Sequence, residues 1–135
     1  MNKKHFVIIS IAVAVIVIFA VFNTNQVDEK LFSDTFAVSA IYFDDSKIIE
    51  ISYLDNSNAT VNVTLEVLGM SESFQKKYQT SAFVERVSLS NLPQYGWSTM
   101  PVTFLIEHKE FGMVMLKTEI SLVGEKPARV IYGKP

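Results

Sequence analysis

Ile49-Glu50-Ile51-Ser52-Tyr53 and Val61-Asn62-Val63-Thr64-Leu65-Glu66-Val67 alternate apolar and polar side chains. Successive side chains of an extended chain point to opposite faces, so each stretch predicts a strand with one buried and one wet face. Asp55, Asn56, Ser57 and Asn58 between them bond their own backbone or tolerate a left-handed conformation, which predicts a turn. Directly opposed residues of a hairpin share a face. The pair would therefore set Tyr53 opposite Val61, Ile51 opposite Val63 and Ile49 opposite Leu65, with Asn56, Ser57 and Asn58 as the loop.

Outward from this pair the same pattern recurs. Val102, Phe104, Ile106 and His108 form one apolar face, and Val114, Leu116, Thr118, Ile120 and Leu122 form another. A loop of Glu110, Phe111 and Gly112 predicts a second hairpin, with Gly112 left-handed and His108 opposite Val114. Further strands are expected at Phe36 to Phe43, Phe74 to Thr80, Phe83 to Leu89 and Ala128 to Tyr132. Turns fall at Asp44 to Lys47, Gly69 to Ser73 and around Pro93. Seven or eight short strands without a helical pattern predict an all-β, antiparallel sandwich of immunoglobulin or fibronectin type III architecture over residues 34–135. The likeness is one of architecture: the chain has no Cys, and Leu92, Pro93 and Tyr95 only loosely echo the strand-to-strand corner of such folds. Architecture of this kind implies no activity.

Upstream, residues 1–5 carry Lys3 and Lys4, and residues 6–22 are an unbroken apolar run apart from Ser10. As a helix that run spans roughly 25 Å, enough to cross a thin bilayer, and in lipid a lone segment satisfies its backbone only as a helix. Cleavage after Phe22 would put a large residue where a signal peptidase needs a small one, so the run reads as an uncleaved signal-anchor, with cleavage after Ala20 as the alternative. Lysines before the run and Asp28 and Glu29 after it place residues 1–5 in the cytoplasm and the C-terminal domain outside. Residues 23–33 read as a linker or stalk. Ser10 and Ala14 form a small-xxx-small pair that would let a second helix approach, as in an accessory subunit of a larger membrane complex.

Twelve basic and fourteen acidic residues give a net charge of -2; without Lys3 and Lys4 the outer part holds ten against fourteen. That balance offers no electrostatic basis for nucleic-acid binding. The absence of Cys excludes disulfides, thiolate metal sites and a cysteine nucleophile. No Gly-rich phosphate loop or nucleophile elbow is present, so neither a cofactor nor a small-molecule substrate is inferred and a non-enzymatic role is expected.

Several constellations compete with that expectation. His108 is the one histidine outside the N-terminal tip; its neighbours Glu107 and Lys109 point to the other face of the strand, so it reads as structural. Met100, Met113, Met115 and His108 would suit copper(I), but the strand register puts Met113 and Met115 on the face opposite His108. Asp44 with Asp45, and Asp55 with Asn56 and Asn58, lack the Gly and downstream Glu of a calcium loop and read as turn chemistry. Asn58-Ala59-Thr60 and Asn62-Val63-Thr64 are N-glycosylation acceptor patterns, so Asn58 and Asn62 are candidate glycan sites. The irregular stretch from Leu92 to Pro101 holds the sole Trp. Tyr95, Trp97 and Met100 make it the candidate interaction loop for a protein partner in the envelope, the competing reading being an inter-sheet crossing whose aromatics cap the sandwich.

Overall fold

The computed structural model describes residues 28–135. Strands make up 51% of it, arranged as two sheets, so the fold is an all-β sandwich. The chain runs α1 (Glu29–Thr35), β1 (Phe36–Phe43), β2 (Ile48–Asp55), β3 (Thr60–Val67), β4 (Phe74–Tyr78), β5 (Ala82–Ser88), a 3-10 turn (Trp97–Thr99), β6 (Val102–His108), β7 (Gly112–Thr118), β8 (Ser121–Leu122) and β9 (Ile131–Gly133). One sheet has the order β5-β2-β1-β8 and the other β4-β3-β6-β7-β9. Among the described residues no helix is long and apolar enough to cross a membrane; residues 6–22, where the sequence predicts the anchor, lie outside them.

The alternating strands form as expected, but β2 and β3 do not pair. Tyr53 lies between Val38 and Phe83, and Ile51 between Ala40 and Glu85, whereas Val63 lies between Tyr78 and Ile106. The Asp55 turn carries the chain from one sheet to the other. Ile49, Ile51 and Tyr53 therefore meet Val63, Leu65 and Val67 across the core, all of them buried. Alternation demands only that both sets reach the interior, and strands stacked face to face satisfy that as well as strands side by side. Val61, assigned to the buried face, is 41% exposed beside a bulge between Thr60 and Asn62.

The second hairpin forms with its register displaced by two residues. His108 opposes Gly112 and Ile106 opposes Val114, so each side chain keeps its predicted face. Gly112 takes φ +71°, as the tight connection requires. After Thr118 the expected single strand breaks, and β8 crosses to the other sheet, where it pairs parallel to β1.

A helix was not expected from the period-two pattern, yet α1 occupies much of the predicted linker. The Asp28 carboxylate accepts a hydrogen bond from the Leu31 N–H at 3.1 Å and caps it. Seven residues are too short for helical periodicity to show, so tertiary packing decides the conformation. Phe32 is buried against Phe36 and Phe111, with ring centroids 6.0 and 5.0 Å away. The packed structure thus includes α1, upstream of residue 34. A fragment starting at Val27 is expected to unfold cooperatively with a β-type circular dichroism spectrum. One starting at Asp34 should be less stable by about 2–3 kcal/mol for the lost Phe32 burial; equal denaturation midpoints would refute this.

At one edge of the sandwich β4 and β5, which belong to different sheets, are joined by side chains. Tyr78 stacks on Phe83 at 3.8 Å and donates its hydroxyl proton to Glu85, which also accepts from Lys76 at 3.1 Å. The Tyr78 bond, with the Lys76 charge, holds the Glu85 carboxyl below its ordinary range. Lys76 and Lys77 on β4 discourage pairing by a foreign strand.

Candidate functional site

The two ends of the sandwich carry different chemistry. At the end where α1 enters, a buried polar cluster joins residues far apart in sequence. Asp55 closes β2, and its carboxylate accepts from Ser57 N (2.9 Å), Ser57 Oγ (2.6 Å), Ala59 N (3.0 Å) and Thr60 Oγ1 (2.7 Å), with His108 Nε2 lying 3.1 Å away. Thr60 Oγ1 in turn bonds the Tyr53 hydroxyl at 2.8 Å. Burial alone would raise the Asp55 pKa, but the donors from Ser57, Thr60 and Ala59 outweigh it and hold the carboxyl below its ordinary range. Burial pushes the Tyr53 hydroxyl up, so it stays neutral.

Serine, histidine and aspartate meet here, but not as a hydrolytic triad. A triad sets the carboxylate on one ring nitrogen and the serine on the other. Here Ser57 Oγ (2.9 Å) and Asp55 both face His108 Nε2, while Nδ1 accepts from the backbone N–H groups of Glu110 (3.1 Å) and Phe111 (3.3 Å). An accepting Nδ1 leaves the proton on Nε2, where the ring donates to Ser57 Oγ beside the Asp55 carboxylate and has no lone pair to activate the serine. Phe111 stacks on the imidazole at 4.6 Å and Phe36 meets it edge-on at 5.4 Å. The cluster locks the β2–β3 crossing to the β6–β7 hairpin and buries His108 as a structural residue. No spacing in the sequence links Asp55 to His108; the sandwich brings them together.

The opposite end carries the candidate interaction loop. Leu89 N donates to Lys47 O at 2.9 Å and Leu68 N to Pro101 O at 3.1 Å, which pins the segment at both ends. Between these points Thr99 N and Oγ1 donate to Gly96 O, and Met100 N donates to Trp97 O at 3.0 Å, folding the 3-10 turn. The loop presents its three candidate residues differently. Tyr95 is 78% exposed. Trp97 is half-buried with its ring 5.2 Å from that of Tyr42. Met100 is only 2% exposed, because the turn aims it into the core beside Val67 and Val102, so it is no surface contact.

Trp97 and Tyr42 line a cleft of about 440 Å³ with Leu92, Pro93, Leu122 and Val123, and Asp44 and Glu125 complete its wall. One side is built by β8, tied to β1 through Val123 N to Tyr42 O at 3.1 Å. The cleft has a size and apolar character typical of binding sites, about 300–1,000 Å³. Trp97 packs half-buried against the core and also lines this cleft. Leu122 was read as the end of a strand, and only the crossing of β8 makes it a cleft wall.

The remaining candidates separate. Met113 lies on the outer face of β7, away from buried Met100 and His108, so no copper site assembles. Asp44 and Asp55 sit at opposite ends of β2, and among the described residues no three His, Asp or Glu side chains converge on a metal position. Asn58 is exposed at φ +51° at the tip of its turn. Asn62 is half-buried, donating to Glu107 Oε2 at 2.7 Å, so Asn58 is the more accessible of the two acceptor asparagines. Comparison of the chain with family models, curated proteins and solved structures finds no match.

Proposed function

We propose that this chain is a single-pass, membrane-anchored β-sandwich of the immunoglobulin or fibronectin type III kind, acting outside the cell as a protein-interaction module. The anchor is residues 6–22, with residues 1–5 cytoplasmic. The two facing sheets, β5-β2-β1-β8 and β4-β3-β6-β7-β9, support the sandwich assignment.

The observation that carries the functional reading is the aromatic cleft and its position. The chain enters the domain through α1 beside Asp55, since Asn56 N donates to Thr35 O at 2.8 Å. Tyr42 and Asp44 lie at the far end of β1, roughly 20–25 Å away for a strand of this length. An anchor upstream of α1 therefore leaves the cleft at the membrane-distal end, where a partner can reach it. Exposed Tyr95 and half-buried Trp97 are the residue types that dominate interface energetics.

Trp97→Ala and Val63→Ala test the reading when compared for thermal stability and for partner recovery after mild detergent extraction. Val63 is fully buried, and its truncation should cost about 1–3 kcal/mol, with partner recovery intact at temperatures where the domain is folded. Trp97→Ala should abolish recovery from protein that is still folded. Recovery that falls only in step with unfolding would reduce Trp97 to a core cap. The anchor is tested separately by intact mass of the natively produced protein, expected to include residues 6–22; a mass starting near residue 21 or 23 would show cleavage.

A further inference from the structure

We infer that the Trp97–Tyr42 cleft takes a cationic side chain, lysine or arginine, presented by a protein partner. The inference rests on the interaction reading above and adds the chemistry of the ligand. Of the charged side chains that line the cleft, Asp44 and Glu125 are acidic and none is basic. Both carboxylates are exposed, and among the described residues neither is held in an ion pair.

The rest of the wall suits the same ligand. A Trp indole attracts a cation over its face, more strongly than Tyr or Phe does. Leu92, Pro93, Leu122 and Val123 offer apolar surface to the methylene stem that lysine and arginine carry behind their charged heads. An anionic ligand would meet two carboxylates with no compensating cation in the wall. The acidic excess of the exported part, fourteen against ten, adds a long-range pull in the same direction.

Trp97 is the only tryptophan in the chain, so its emission reports occupancy of the cleft directly. The full chain in a neutral detergent is titrated with N-acetyl-arginine amide and, as an uncharged isostere, N-acetyl-citrulline amide. A saturable change in Trp97 emission is expected with the arginine amide, with affinity about tenfold better than for the citrulline amide. That preference should fall severalfold in 0.5 M salt and in the Asp44→Asn, Glu125→Gln double variant, whose melting temperature should match the parent because both side chains are exposed. Equal affinity for the two amides, no saturation, or indifference to the double variant would overturn the inference. The interaction reading fails separately: it falls if partner recovery survives Trp97→Ala. It stands without the cation if recovery needs Trp97 but not the two carboxylates.

Discussion

Replacing Asp55 by alanine is expected to cost about 3–5 kcal/mol, because it removes a buried carboxylate that serves four donors and leaves them without their acceptor. The donors are named by geometry: Ser57 N and Oγ, Ala59 N and Thr60 Oγ1. Against a total stability of about 5–15 kcal/mol for a domain of this kind, a loss of that size removes a third or more of the fold's margin. Asp55→Asn keeps the shape and one acceptor but turns an amide NH2 toward donors, so it should fall between the parent and the alanine variant. Chemical denaturation at neutral pH measures all three.

The same residue predicts an acid dependence with a definite sign. The folded state holds the Asp55 carboxyl below its ordinary value, so folding favours the ionised form. Its contribution is complete above the unfolded carboxylate pKa of about 4 and is lost as pH falls through the lower folded value. Wild-type stability should therefore decline more steeply between about pH 4 and pH 2 than that of Asp55→Asn. Glu85, also held low, remains in both proteins and cancels from the comparison. Parallel acid slopes would show that Asp55 is not held ionised by its donors.

Gly69→Ala is the second large effect. Gly69 has φ +82°, and a Cβ there would sit 2.1 Å from the carbonyl oxygen of Thr99 and 3.1 Å from its carbonyl carbon. The obstacle is backbone and cannot rotate away, so either the Gly69 turn or the Trp97–Thr99 turn must move. Gly112→Ala is the control, since it has φ +71° with nothing within 4 Å of the added carbon. The control should cost about 1–2 kcal/mol for the left-handed conformation alone. Gly69→Ala should cost about 2–5 kcal/mol, the same term plus that of forcing packed groups apart. It should also shift the Trp97 emission, because Thr99 closes the turn that Trp97 opens. Equal losses at the two glycines would mean that the close approach at Thr99 is unimportant.

Most strands of this domain are visible in the sequence because burial of one sheet face imposes a period of two that needs no knowledge of partners. Ile49, Ile51 and Tyr53, Val102, Phe104 and Ile106, and Val114 and Leu116 are all buried as that period demands. The Trp97 loop is legible for a related reason: two prolines and an aromatic cluster fit no alternating strand. Helix α1 was hidden because its length is under two full turns, and its one strong signal, Asp28 as a cap, is common in coil. Met100 was misplaced because composition marks a contact-prone loop without saying which of its side chains turns inward.

Side-chain alternation and turn chemistry were enough to determine that the domain is built of short amphipathic strands. Which sheet each strand joins was decided only by the tertiary structure. A strand's inward face is equally well buried by a neighbour beside it or by a strand across the core, so β2 and β3 have the same pattern in a hairpin as in facing sheets. The sites follow from that choice. Asp55 reaches His108, and Trp97 reaches Tyr42, because the crossings between sheets bring distant segments to the same ends of the sandwich.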